Sequence, residues 1–315
     1  MQADGTRILG FVEKNRSSYW DRLNTGIRTA AAAMGDDVRI LAPDDEDVAR
    51  QRALAWDLLE QGVDGLALVA TESDAFDDII AQAVGAGLPV VTFDLDAPVS
   101  VRHLYVGLGD YHELGRSAGR EMVARLEPGA TVLLMPGSSV GQGSITKVAG
   151  FRAELEEAGI EVVEGPFDEH DEAAAERLAA DLLRAHDVQG VFGPYAYHPA
   201  ALARAVARAG VAAPPVIVGF DMNDATVAAI RAGTVDASIW IREYYFGFHA
   251  CASLATLGRL GIEPGLELLG QSATNHRENR LLLRPETFTA ENVDRFDRWR
   301  RSTLPSADSA ALPSI

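Results

Sequence analysis

Short apolar runs alternate with amphipathic stretches along most of this chain, and that rhythm predicts its architecture. Residues 8–12 (ILGFV), 38–42 (VRILA), 65–70 (GLALVA) and 90–93 (VVTF) have the length and branched-aliphatic content of strands buried on both faces. Between them, residues 19–34, 47–61 and 74–86 carry apolar side chains at helical spacing. Such alternation predicts a parallel sheet with right-handed crossovers and helices on both faces. A shorter strand at 103–107 breaks the rhythm, and a second series then begins. It runs through a helix at 111–126, TVLLMP at 131–136, a helix to 158, IEVVEG at 160–165, a helix at 172–186, VQGVFG at 188–193, a helix at 199–209 and PVIVGF at 215–220. A helix at 224–232, a strand at 235–240, a helix at 243–260 and two short strands near 266–270 and 280–283 complete it. The predicted fold class is α/β, with two similar doubly wound parallel-sheet lobes. Because late segments return after the second series, more than one crossover joins the lobes, which makes a multi-strand hinge. The expected boundaries are 1–106 plus 242–270 for the N-terminal lobe and 107–241 plus 271–300 for the C-terminal lobe. Residues 301–315, small and polar with two prolines, are expected to be a disordered tail.

Composition narrows the function. At 315 residues the chain is long enough for two domains of ordinary size. No window approaches 18 uninterrupted apolar residues, so no membrane span is expected. The first residues, MQADGTRILGFV, lack the basic and apolar regions of a secretory leader; either the protein is cytosolic or a leader has been removed. A net charge of −18 without any basic run argues against nucleic acid, whose phosphates need Lys and Arg. The one cysteine, Cys251, excludes an intrachain disulfide and a multi-cysteine metal site, and it reads as a small buried hydrophobe. Residues 44–47 are acidic but lack the spacing and glycine of a calcium loop. No metal or cofactor is expected.

In an open parallel sheet, ligands gather outside the carboxyl ends of the strands. Asp94 follows VVTF and Asp221 follows VIVGF, two acids in the same Phe-Asp context, one in each half of the chain. An acid there is commonly a turn residue or helix N-cap, but the repetition favours a site. Other strand ends bring Lys14, Arg16, Tyr19 and Trp20, then Asp96, then the 137–144 segment with Gln142, then His170, then Tyr195, and last Trp240, each a candidate ligand contact. Acids, amides, cations and aromatic faces together suit a polyhydroxylated ligand: carboxylates accept hydroxyl protons, cations donate to oxygens, and rings cover C–H surfaces.

With these residues in place the chain, from about Arg7 to Asn292, resembles a type I periplasmic binding protein of the ribose-binding-like branch, the sugar receptors of ABC transporters. The resemblance rests on the polar loop ending in Tyr19-Trp20, PVVTFD at 89–94, KVAGF at 147–151, VIVGFD at 216–221, AGTVDASIW at 232–240 and FTAENVDRF at 288–296. It implies ligand contacts at Arg16, Tyr19, Trp20, Asp94, Lys147, His170, Tyr195 and Asp221. Lys14, Asp96 and Pro194 look more like the rhamnose and quorum-signal receptors. Leu95, Lys147, Tyr195 and Ile241 stand where the family usually has Arg, Arg, Asn and Gln, so the pocket should differ from a ribose site. Structural alternatives stand beside these assignments. Tyr19 and Trp20 also suit stapling the first helix to the sheet, His170 a helix start, Lys14 and Arg16 surface charge, and Trp240 core packing beside a crossover.

The function implied is non-enzymatic: the solute-binding component of an ABC-type sugar transporter, a monomer outside the cytoplasm that closes over a sugar or polyol and is recognised by a permease. A first rival is the sensor core of a lactose-repressor-type regulator without its DNA-binding module, which would be cytoplasmic. A second is a serine hydrolase, since Gly137-Ser138-Ser139-Val140-Gly141 matches G-x-S-x-G, with His249 or His276 as partner.

Overall fold

The computed structural model describes residues 5–17 and 19–303. In chain order the first elements are β1 (Ile8–Val12), α1 (Tyr19–Met34), β2 (Asp37–Leu41), α2 (Val48–Glu60), β3 (Gly65–Leu68), α3 (Asp77–Gly85), β4 (Val90–Phe93) and β5 (Leu104–Gly107). The second series is α4 (Tyr111–Val123), β6 (Thr131–Leu134), α5 (Gln142–Glu157), β7 (Glu161–Glu164), α6 (Glu172–Ala185), β8 (Gly190–Gly193), α7 (His198–Ala209), β9 (Val216–Phe220), α8 (Asp224–Arg231) and β10 (Ala237–Trp240). Then come α9 (Glu243–Leu260), α10 (Ile262–Leu268), β11 (Arg280–Leu282), β12 (Glu286–Phe288) and α11 (Val293–Thr303).

These elements form two α/β units, residues 1–109 with 242–284 and residues 110–241 with 285–315. The first holds a six-stranded sheet in the order β11-β5-β4-β3-β1-β2, the second a six-stranded sheet in the order β12-β10-β9-β8-β6-β7. Reading each from its far edge gives one topology: second strand, first, third, fourth, fifth, and a late return strand. The return strands differ in sense, β11 running parallel to β5 and β12 antiparallel to β10. The central strands β3, β4, β5 and β8 are buried along their whole length, as strands covered by helices on both faces must be.

Helix starts follow local chemistry. Asp47, Asp110, Asp171 and Asn223 accept backbone N–H groups of the first turns of α2, α4, α6 and α8. Helix pairing depends on small residues. A Cβ on Gly26 of α1 would stand 2.0 Å from the Tyr244 carbonyl of α9, and one on Gly115 of α4 would stand 1.9 Å from the Lys147 carbonyl of α5. Each unit therefore has one backbone-close helix crossing that only glycine permits.

Three expectations need correction. Residues 266–270 are not a strand: α10 covers Ile262–Leu268, with Pro264 in the first turn, where a missing N–H costs nothing, and Leu266 buried. Residues 107–109 and 271–284 belong to the first unit, not the second, so the chain passes between units at 109–110, 241–242 and 284–285. The cause is pairing that no local pattern reveals. Arg280, Leu281 and Leu282 align with Tyr105, Val106 and Gly107, while the fully buried Arg102 donates to the carbonyls of His276 and Asn279. Finally, residues 301–303, expected in the tail, belong to α11; residues 304–315 lie outside the described residues.

The Arg102 guanidinium is also bidentate to Asp96, at 2.6 and 2.7 Å. Removing one partner of a buried pair strands the other, so Arg102→Ala should lower unfolding free energy in urea by ~3 kcal/mol or more. A loss below ~1 kcal/mol would show that the clamp does not hold residues 276–279.

Candidate ligand-binding site

Asp94 and Asp221 end their strands in the same way. Each has left-handed backbone, φ 60° at Asp94 and 67° at Asp221, a conformation that Asp tolerates better than most side chains. The next strand holds each from both sides. Asp94 N–H donates to the Val106 carbonyl and the Tyr105 hydroxyl donates to the Asp94 carbonyl at 2.7 Å. Asp221 N–H donates to the Ile239 carbonyl and the Ser238 hydroxyl donates to the Asp221 carbonyl at 2.6 Å. Both residues are buried, at 5% and 7% exposure, so each unit carries a fixed carboxylate at the carboxyl edge of its sheet. Strain concentrated at such edges is characteristic of binding and catalytic positions.

In the first unit the Tyr19 hydroxyl donates to Asp94 Oδ1 at 3.2 Å, which joins two of the sequence-derived positions. Trp20 is buried, stands edge-on to Tyr19 and Phe93, and donates Nε1–H to Asn15 Oδ1. It braces Tyr19 and the loop before α1 from inside the core, so the stapling role is the one its surroundings describe. Lys14 pairs with Glu46 at 3.1 Å, and Arg16 turns to the Ala42 carbonyl and Asp44 on the surface. Asp96 is a correction. Its oxygens serve the Arg102 clamp, and Oδ1 also accepts from the Thr92 hydroxyl, so it acts as a structural anion.

In the second unit Lys147 is buried and donates from Nζ to the Pro194 carbonyl at 2.7 Å, with the Phe220 ring 4.5 Å away. Tyr195 stands 5.8 Å from the same ammonium and meets His170 edge to face at 4.7 Å. Lys147, His170 and Tyr195 are thus one cluster, drawn from α5 and the loops after β7 and β8. Gln142 opens α5, but its side chain lies outside the described residues. Trp240 is a correction: it is 2% exposed and packed against Phe288, Phe296 and Trp299, which makes it core.

Sequence reasoning passed over four residues beside these. Asp168, Tyr197 and His198 form a buried hydrogen-bonded group under Tyr195, and their loops were read separately although they meet in space. Glu13, the last buried residue leading out of β1, has its carboxyl pushed up to about 8, first by burial, with a hydrogen bond from Asn24 and the Arg28 charge opposing and the Asp21 and Asp94 charges reinforcing. Cys251, read as a buried hydrophobe, is buried, and its thiol is pushed up to about 12 by burial.

The nucleophile elbow of a hydrolase is not formed: residues 135–141 separate β6 from α5 where it needs a sharp turn. Among the described residues no group of three or more His, Cys, Asp or Glu is placed to hold a metal, and no helix is long and apolar enough to cross a membrane.

Two α/β units of one topology, each ending a central strand in a buried aspartate, define a two-lobed α/β fold of the binding-protein type. The family model described as a periplasmic binding protein domain matches residues 9–260, and the chain belongs to that family, in its type I, ribose-binding-like branch. It is 26% identical over 297 residues to the periplasmic protein TorT of Escherichia coli K12, covering 92% of this chain and 79% of that one. It is 26% identical over 222 residues to the ribose import binding protein RbsB of Bacillus subtilis, covering 70% of this chain and 71% of that one. Among solved structures, an ABC transporter solute binding protein from Burkholderia graminis in complex with D-arabinose has the same fold, with a TM-score of 0.80 and 22% identity over 93% of this chain and 98% of that one.

The Glu13 carboxyl generates a pH prediction. Its folded value lies above the ordinary glutamate value of 4.5, so its contribution is fully present below 4.5 and is lost as pH rises toward about 8. Stability relative to Glu13→Gln should therefore fall by up to ~1.4 kcal/mol per pH unit across that window and stay constant outside it. Paired urea melts at several pH values check this; parallel curves would mean that Glu13 is ionised in the folded protein.

Proposed function

We propose that this chain is the solute-binding component of an ABC-type importer: a monomer, outside the cytoplasm, that closes its two units about a monosaccharide or related polyol. The observation that carries this reading is the pair of buried strand-end carboxylates, Asp94 and Asp221, one in each unit with the same backbone device. A carboxylate fixed at a sheet edge is suited to accept two hydroxyl protons from one ligand. Tyr19 beside Asp94, and Lys147, His170 and Tyr195 in the second unit, add donors and ring faces. The three chain passages between the units suit hinge closure, in which contact with both lobes shifts an open population to a closed one that a permease recognises. Relatives named for ribose import and a structural neighbour holding D-arabinose support a sugar as the solute.

Charge refines the ligand class. Lys14 and Arg16 already face Glu46 and Asp44, so the candidate contacts hold one buried cation, Lys147, and two buried acids, Asp94 and Asp221. That balance favours neutral sugars and polyols over sugar acids.

A thermal-shift panel of pentoses, hexoses, deoxy sugars, sugar acids and polyols tests the reading. A sugar present at about 100 times its Kd adds ~2.7 kcal/mol of stability, and neutral sugars should give the largest shifts. Absence of any shift from the neutral members would contradict the proposal. Asp94→Asn and Asp221→Asn keep a side chain suited to positive φ while removing the charge, so each should weaken binding by ~2 kcal/mol and change folding stability by less than ~1 kcal/mol. Titration calorimetry with the best sugar of the panel measures the first and urea melts the second.

A further inference from the structure

One buried carboxylate underlies the aromatic cluster of the second unit. Asp168, 4% exposed, lies in the loop after β7 and collects three donors from two loops: the Tyr197 hydroxyl and the His170 N–H on Oδ1, and the His198 ring on Oδ2 at 2.9 Å. Its own N–H and that of Glu169 donate to the Gly137 carbonyl, which ties the third loop, after β6, to the same point. Three loops that carry or adjoin His170, Tyr195 and Lys147 thus converge on Asp168, two through its carboxylate and one through its backbone.

The protonation state of His198 follows from geometry. Its Nδ1 accepts the Tyr195 backbone N–H at 3.2 Å, so Nδ1 carries no proton. The ring proton is therefore on Nε2, aimed at Asp168 Oδ2. Both nitrogens are occupied, the residue is 0% exposed, and burial holds the imidazole below the ordinary histidine range despite the opposing Asp168 contact. Adding a proton at Nδ1 would break the bond that seats Tyr195. The charged groups facing this ring are Asp168 from the loop after β7, Lys147 from α5 and His170.

The surrounding backbone is shaped for the arrangement. A Cβ on Gly193 would come within 2.3 Å of the His198 ring, and a Cβ on Gly137 within 2.3 Å of the Tyr195 ring. The imidazole lies directly on Gly193, the last residue of β8, and the phenol on Gly137 in the loop after β6, so each ring rests on backbone that only glycine leaves open.

We propose that Asp168 is the positioning residue of the second unit's half of the site: through His198 it fixes the backbone from which Tyr195 is presented, and through its bond to the His170 N–H it sets the ring that meets Tyr195 edge-on. This rests on the reading of Tyr195 and His170 as ligand contacts. The carboxylate reaches that pair through His198 and the backbone. Substitution chemistry separates the role from simple burial of charge. In Asp168→Asn the amide oxygen still accepts from His198 Nε2–H and the amide N–H₂ donates to the Tyr197 hydroxyl, so the link to the loop after β8 is kept, while the His170 N–H loses its acceptor. In Asp168→Ala both links go, and in His198→Phe the ring volume stays while both nitrogens are lost.

The test uses the full chain labelled with 15N-histidine and, separately, with 3-fluorotyrosine. Long-range proton–nitrogen spectra, with His198 assigned by its absence in His198→Phe, should show the Nε2–H tautomer without titration from about pH 5.5 to 8. The fluorine resonance of Tyr195, assigned with Tyr195→Phe, should be single in wild type and Asp168→Asn, and displaced or split in Asp168→Ala and His198→Phe. Circular dichroism establishes which variants are folded; should Asp168→Ala not fold, His198→Phe and Asp168→Asn carry the comparison. A His198 that titrates in the ordinary range, or a Tyr195 resonance indifferent to the variants that fold, overturns the proposal. The binding reading fails separately: D-ribose and D-arabinose shifts that are equal in wild type and Tyr195→Phe would remove Tyr195 from the ligand site, while the spectra still decide whether Asp168 fixes it. With Tyr195 in the site, Asp168→Ala should weaken sugar binding about tenfold and Asp168→Asn about threefold or less.

Discussion

Everything proposed for this protein depends on a strand-end aspartate being held in a left-handed turn by the strand beside it. The backbone N–H of Asp94 is taken by β5 and its carbonyl by the Tyr105 hydroxyl; for Asp221 the same two tasks fall to β10 and the Ser238 hydroxyl. With both main-chain groups satisfied, the residue keeps a conformation that costs about 1 kcal/mol or more in isolation, and the side chain is not free to choose its direction. The two units reach this with different donors. A phenol needs room to fold back, and Gly107 supplies it: a Cβ there would lie 1.9 Å from the Tyr105 hydroxyl oxygen. A serine at 238 is short enough to need no such allowance. The same outcome from unlike side chains indicates that the geometry of the carboxylate, rather than either partner, is what the fold is arranged to deliver.

Much of this was legible along the chain. The strand runs and helix stripes have the right periods because parallel sheets bury strands on both faces and helices on one, and the Phe-Asp pair at each strand end marked both carboxylates. What escaped was set by contacts remote in sequence. Residues 271–284 fall in the first unit because Arg102 reaches carbonyls more than 170 positions away, a bond no local pattern announces. Asp96 looked like a second site acid, yet it balances that same arginine. Trp240 lies at a strand end like the site residues, but its neighbours Phe288, Phe296 and Trp299 come from a helix and strand that the pattern did not predict. Asp168 and His198 were in view only as members of separate loops; their significance is that they meet.

Electrostatics fits the same picture. The chain carries a net charge of −18, yet its buried charges are managed individually: Arg102 by Asp96 and three backbone carbonyls, and Lys147 by a carbonyl and a ring face, while burial holds His198 below the ordinary histidine range against the pull of Asp168. Glu13, with its carboxyl raised to about 8, holds its proton at neutral pH, so it adds little negative charge beside Asp94. Asp94 and Asp221 are the buried acids that directly follow a strand, one in each unit, and their chemistry matches hydroxyl recognition.

The most direct measurement is a crystal structure grown with the sugar that most stabilises the protein. The account predicts one sugar hydroxyl within hydrogen-bonding distance of the Asp94 carboxylate and another within the same distance of the Asp221 carboxylate. A sugar bound elsewhere, with both carboxylates turned away from it, would contradict the claim that these two strand ends are halves of one site.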